Sequence, residues 1–274
     1  MKLKLILIIC LASFLGLNLK AQSLVDNEAT AETKALFRNL SELAGKHILF
    51  GQQDATNYGH DWSEGENRSD IKDVCGSHPA MIGDDFDKLT VKDEKRLEEG
   101  RKRLLKTITD TYERGGVITI CWHSANPVNG GSFYWEKNPV EAVAHILPGG
   151  TKHQQYLLYL DRIAEVAHEA KGKGGELIPI IFRPFHEFDG DWFWWGNAHC
   201  TKKEFIRLWR FTVDYLKDTK QVHNFLYAFS PDCKFTTEKE YLERYPGDKY
   251  VDILGTDNYW DFRPDGANNP KLAE

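Results

Sequence analysis

The chain has 274 residues, 41% of them hydrophobic, with 35 basic against 41 acidic side chains and a formal net charge of −6. That length and apolar content can bury one large core, and no linker, low-complexity tract or internal repeat divides it, so one domain is expected. The acidic balance argues against nucleic acid or an anionic membrane as a partner.

The N-terminus carries Lys2 and Lys4, an apolar core from Leu5 to Leu17, and then Lys20-Ala21-Gln22. Together these read as a secretory signal peptide over residues 1–21, cleaved after Ala21. The apolar core is too short for a membrane span, and no later segment approaches the roughly 20 apolar residues that a span needs. Cys10 lacks the context of a lipid-attachment cysteine. The expectation is an exported protein, periplasmic or extracellular, monomeric, without stable membrane insertion, and with its domain over residues 22–274. Removing the three lysines of the leader takes the net charge to −9. Cys75, Cys121, Cys200 and Cys233 remain, with no C-x-x-C pair. An oxidising compartment allows one or two disulfides, and buried free thiols are an equal alternative, favoured for Cys121 inside its apolar strand.

Strands and helices then alternate. Strands are expected near His47–Gln52, at Ala80–Asp84, Val117–Trp122, Leu177–Arg183, Asn224–Phe229 and Val251–Gly255. Helices fall near Arg68–Val74, across Lys92–Glu113 and Gln154–Ala170, from the capping box Thr201-Lys202-Lys203-Glu204, and near Glu238–Arg244. In Gln154–Ala170 the residues Tyr156, Leu160, Ile163, Ala164 and Ala167 recur at three and four and mark one buried face. After the capping box the face is Phe205, Leu208, Trp209, Thr212, Val213 and Leu216. Pro179 is discordant inside a strand, because proline donates no ladder hydrogen bond.

Strict alternation implies a parallel sheet, either doubly wound or closed into a barrel. No G-x-G-x-x-G or P-loop follows the first strand, which favours an α/β fold of the (β/α)8 TIM-barrel type. About six of the eight β/α units are present. The expectation is a C-terminally incomplete barrel lacking roughly two units.

In such a barrel the C-terminal strand ends carry the chemistry. Here every one is polar: Gln52-Gln53-Asp54, Asp84-Asp85, Trp122-His123, Arg183 to Glu187, Ser230-Pro231-Asp232 and Asp257-Asn258-Tyr259-Trp260. Taken singly, each also has a bland reading: Asp85 as a helix cap, Ser230-Pro231-Asp232 as a turn, His123 as a core histidine. Glu187 stands apart, because Arg183, His186 and the run Trp192-Phe193-Trp194-Trp195 all lie within nine positions. An acid set among aromatic rings stays protonated near neutral pH, and indole faces stack on sugar rings. Glu187 is the candidate general acid, with at least one tryptophan of the run assigned to the core. The loop from Ser124 to Gly150 is long and aromatic. It reads either as a groove wall, with Trp135 a stacking platform, or as a loop packed on its neighbours.

At Phe50-Gly51-Gln52-Gln53, Trp122-His123, Arg183–Gly196 and Asp257–Trp260 the chain resembles glycoside hydrolase family 26, known best for endo-β-1,4-mannanases. The resemblance implies a substrate of β-mannan, glucomannan or galactomannan and no cofactor or metal. It implies Glu187 as the acid/base, His123, Arg183 and His186 around the scissile bond, Trp192 against the substrate, and Asp257 and Tyr259 lining the site. Such enzymes retain configuration through a second glutamate on the seventh strand. The sequence stops before one, so the 274-residue polypeptide alone is expected to be inactive. Related specificities for mixed-linkage β-glucan or β-1,3-xylan occur in the family. A metal-dependent hydrolase is disfavoured, since neither H-x-H on the first strand nor H-E-x-x-H occurs. A non-catalytic glycan-binding protein is the remaining alternative.

Overall fold

The computed structural model describes residues 23–63 and 65–259. The expected leader and Trp260 lie outside the described residues. Six strands form one parallel sheet: β1 (Gly51–Gln53), β4 (Met81–Asp85), β5 (Val117–Cys121), β6 (Ile180–Arg183), β7 (Phe225–Phe229) and β8 (Ile253–Leu254). Their spatial order follows their chain order without a reversal. A doubly wound sheet reverses at its switch point. An uninterrupted series of this kind is the wall of a barrel.

A short antiparallel hairpin, β2 (Tyr58–Gly59) with β3 (Trp62–Ser63), follows β1. The helices are α1 (Ala31–Leu43), α2 (Asp70–Cys75), α3 (Glu94–Glu113), α4 (Val143–Ile146), α5 (His153–Glu169), α6 (Lys202–Asp214) and α7 (Glu238–Tyr241). Their starts are written locally. Asp93 accepts from the Arg96 amide to open α3, and Thr201 and Glu204 complete a reciprocal capping box on α6. The apolar faces expected of α5 and α6 are buried as expected.

The alternation of side chains along each strand creates two different faces. Ile118, Ile120, Ile180, Phe182, Phe225, Tyr227 and Phe229 point toward the helices and join one large core with Leu104, Ile108, Tyr156, Leu160 and Trp209. Ile181, Leu226 and Ala228 point the other way, where Leu36, Phe37 and Leu40 of α1 pack on them. Thr30 donates its amide to His223 O just ahead of β7, so α1 begins at the N-terminal rim of the sheet. The opposite rim, at the C-terminal strand ends, carries the polar residues.

Several expected boundaries move. The first strand is Gly51–Gln53 rather than His47–Gln52, and Ile48 is 96% exposed, because only Gly51 to Gln53 find ladder partners on β4. The strand expected at Leu177–Arg183 begins at Ile180, so Pro179 stands outside the ladder and its missing N–H costs nothing there. The last strand shortens to Ile253–Leu254, and the helix near Glu238–Arg244 to Glu238–Tyr241. The helix α1, the β2–β3 hairpin and the short α4 were not expected. For α1 the signals were present, in the Thr30 side chain that accepts from the Thr33 amide and in Leu36, Leu40 and Leu43 at spacings of four and three. No disulfide forms among the described residues, and Cys75, Cys121 and Cys200 are thiols. Among the described residues no helix is long and apolar enough to cross a membrane.

Candidate active site

Parallel register brings three chemically distinct side chains into one row. Asp85 pairs with Cys121 across β4 and β5, and Cys121 pairs with Arg183 across β5 and β6. All three end their strands at the C-terminal rim. The row comes from strands distant in sequence, which is why periodicity alone could not assemble it.

Immediately beyond β6 the backbone is strained. Phe185 and Glu187 both adopt left-handed conformations, with φ of 50° and 53°. Each such residue costs on the order of 1–3 kcal/mol unless its surroundings over-determine it. They do so here. Phe185 is buried among Trp122, Trp194, Trp195, Phe205 and Trp209, with ring centroids 6.1–6.4 Å away. Glu187 donates its amide to Ser230 O at 2.9 Å, which ties the turn to the end of β7. The core thus holds the turn that presents the Glu187 carboxyl.

The aromatic run after Glu187 works mainly through its indole N–H groups. Trp194 Nε1 donates to Ser124 O and Trp195 Nε1 to His186 O, both at 2.9 Å, from fully buried positions. Trp192 Nε1 donates to Glu187 Oε2 at 2.7 Å. The run therefore braces the loops after β5 and β6 and holds the carboxyl itself. Two glycines permit this. A Cβ on Gly190 would run into the Trp192 ring, and one on Gly196 would lie 2.5 Å from Gly190 O.

Burial, and next the negative charge of Asp257, push the Glu187 carboxyl up to about 7, against the opposing Trp192 hydrogen bond. A carboxyl that remains protonated near neutrality can donate a proton to a leaving oxygen. Arg183 pairs with Asp257 rather than with Glu187, through contacts of 2.8 and 2.6 Å, and Ser230 Oγ donates to the same carboxylate at 2.6 Å. Burial raises the Asp257 carboxyl above its ordinary range despite these partners.

A second chain of contacts runs across the row. Asp85 receives both the His123 amide, at 2.9 Å, and His123 Nδ1, at 2.5 Å. Although burial pushes the Asp85 carboxyl up, the His123 bonds hold it below the usual range. An ionised carboxylate accepts only, so His123 carries its proton on Nδ1 and offers Nε2 as an acceptor. His186 Nε2 lies 3.1 Å from that atom and is the donor. Burial, reinforced by Arg183, drives the His186 imidazole well below its normal pKa. It is therefore neutral, and its buried Nδ1 has no partner among the described residues.

The expected site residues thus divide. Glu187, Trp192, Arg183, Asp257, His186 and His123 converge on one rim. Tyr259 joins them, 69% exposed; partial burial and then the charge of Glu187 raise its phenol. Trp192 commits its indole N–H to Glu187, and Lys234 Nζ sits 5.0 Å from its ring centroid. His199 stacks on one face of Trp135 at 3.6 Å and 10°. The long loop after β5 packs through Phe133 and Tyr134 on His123 and Phe193. Trp194 donates its amide to Phe133 O and Trp135 donates its own to Trp192 O, locking this loop to the Glu187 loop. Asp85 and Ser230, polar strand ends in the sequence, join the site through His123 and Asp257. Their matching position at the rim was the available signal.

The chain matches the model of glycosyl hydrolase family 26 over residues 25–270. It is 41% identical over 242 residues to a mannan endo-1,4-beta-mannosidase of Bifidobacterium adolescentis, covering 85% of this chain and 24% of that protein. Among solved structures it resembles GH26C from Muricauda sp., with a TM-score of 0.85, 42% identity and coverage of 91% of this chain and 69% of the other. A modular endo-beta-1,4-mannanase from Cellulomonas fimi aligns with a TM-score of 0.81 and 41% identity, covering 86% of this chain and 54% of that one. The chain spans between 24% and 66% of the first three curated relatives it matches. On the family match, the parallel barrel wall and the Arg183–Gly196 segment together, the chain belongs to glycosyl hydrolase family 26.

Proposed function

We propose that this chain carries the acid/base half of a secreted, retaining endo-β-1,4-mannanase that cleaves internal bonds of mannan, glucomannan or galactomannan. The observation that supports it most is Glu187: a half-buried carboxyl, pushed up to about 7, held by an indole N–H at the C-terminal rim of a parallel barrel wall.

Glu187 protonates the departing glycosidic oxygen, and as a carboxylate it then takes a proton from the water that releases the glycosyl-enzyme. His186, fixed by His123 and neutral, lies beside it as a hydrogen-bonding wall of the subsite. Retention calls for a second carboxylate roughly 5–5.5 Å from the first. Asp257 is engaged by Arg183 and Ser230, so we assign the nucleophile to a glutamate outside the described residues. Export rests on the leader read in residues 1–21. The names of the mannanase relatives support mannan as the substrate.

The test is Glu187→Gln in a full-length enzyme containing this chain, assayed on β-mannan and on a mannoside with an activated aryl leaving group. Activity on mannan should fall by about 10²–10⁴-fold, with a much smaller loss on the aryl substrate, whose departure needs little protonation. Equal losses on both would remove Glu187 from the acid role. Parallel assays on mixed-linkage β-glucan and β-1,3-xylan decide specificity, and a preference for either would displace mannan.

A further inference from the structure

Three donor atoms of different chemistry meet at the C-terminal ends of β4 and β5. Cys121 Sγ lies 3.4 Å from Asp85 Oδ2 and 3.9 Å from His123 Nδ1. The carboxylate and imidazole atoms are themselves 2.5 Å apart. All three atoms fall within 4.8 Å of one another.

A tetrahedral zinc ion has bonds of about 2.0 Å to nitrogen and oxygen and about 2.3 Å to sulfur. Its nitrogen and oxygen ligands then stand about 3.3 Å apart, and its sulfur about 3.5 Å from either. The thiol already stands within a few tenths of an ångström of those separations. Only the Asp85–His123 contact must open, by less than about 1 Å. The side chains of Asp85 and His123 are 17% and 25% exposed, which gives an ion a way in, while Cys121 closes the site from within the sheet.

The outer partners suit a bound ion as well. Asp85 Oδ1 accepts the amides of His123 and Asp87, which hold the carboxylate in place. His123 Nε2 faces His186 Nε2, so an imidazole bound through Nδ1 keeps a hydrogen-bond partner on its other nitrogen, as metal-bound histidines require.

We propose that Asp85, Cys121 and His123 form a binding site for a thiophilic divalent cation such as Zn²⁺ or Cd²⁺, leaving a fourth position for water. The ion is a ligand taken from solution, distinct from any cofactor of the hydrolase. The Cys121 thiol loses its proton to solvent on binding, one proton per ion. The proton on His123 Nδ1 moves to Nε2 and the proton on His186 Nε2 moves to its own Nδ1, so the hydrogen bond between the two rings reverses direction. Occupancy therefore rearranges the side chains that border Glu187.

The test titrates the 274-residue chain with cadmium chloride and follows the ultraviolet thiolate-to-cadmium charge-transfer band, then displaces Cd²⁺ with Zn²⁺. A single saturable band is expected. It should vanish in Cys121→Ser and persist when Cys10, Cys75, Cys200 and Cys233 are all changed to serine. Circular dichroism verifies that each variant folds. Asp85→Asn should keep the thiolate band while weakening affinity by more than about tenfold. A band that survives Cys121→Ser, that disappears with the other four cysteines, or whose titration midpoint does not move in Asp85→Asn would overturn the site.

Discussion

Trp192 Nε1 donates to Glu187 Oε2 across 2.7 Å, five residues further along the same loop. The indole that invites a stacking interpretation thus acts on the carboxyl of Glu187, the proposed acid. The bond favours the ionised form and opposes the burial and the Asp257 charge that raise the group to about 7.

Trp192→Phe should consequently move the alkaline limb of the pH–rate profile upward, since the acid then holds its proton to higher pH. In a full-length enzyme containing this chain, loss of orientation should lower kcat/KM on the proposed mannan substrate by roughly tenfold, the equivalent of one charge-assisted hydrogen bond. A pH profile of kcat/KM measures both. A limb that stays in place would show that the indole acts by packing alone.

Asp257→Asn has the opposite electrostatic sign. It removes the negative charge that most raises Glu187 and frees Arg183, whose positive charge lowers it. The alkaline limb should shift downward. The Arg183 guanidinium also loses a charged partner, at a cost of about 2 kcal/mol of stability, readable as a lower Tm. An unchanged profile with a lowered Tm would leave Asp257 a structural role only.

Asp85→Asn replaces a carboxylate that accepts two N–H groups from His123 with an amide that can accept on one side only. The variant should trap His123 in the other tautomer and reverse its bond to His186. The expected loss in activity is roughly 10–100-fold, as for other outer partners of functional histidines. Nitrogen-15 chemical shifts of the two imidazoles would report the tautomer directly.

Asp84 should give a stability dependence of unusual sign. Burial raises its carboxyl from 3.8 to about 6, so the folded chain binds more protons than the unfolded chain between those values. Stability from this group then falls as pH rises through that window and stays lower above it, by up to about 3 kcal/mol. Denaturant unfolding at pH 4 and pH 7 should show that the difference shrinks in Asp84→Asn. An identical pH dependence in the variant would rule the group out.

The order of elements was legible in the sequence because it is local physics: apolar repeats at three and four, the Thr201–Glu204 capping box, and short apolar runs ending in polar residues. The same locality singled out Glu187, since Arg183, His186 and the tryptophan run lie within nine positions of it, whereas the Asp257 charge that raises it lies far along the chain. Contacts between distant segments were not legible. The partner of Arg183 is Asp257, 74 residues away, and Asp85 meets His123 across 38. Those pairings arise from strand register, which depends on how neighbouring strands align rather than on either segment alone.

The sequence by itself determined that a parallel α/β sheet would form and that one acid would sit among rings at a strand end. The tertiary structure decided what the rings do there. Trp194 and Trp195 are braces in the core, and Trp192 is the donor that holds the acid. An indole offers both a face and an N–H, and only the fold settles which of the two is left free.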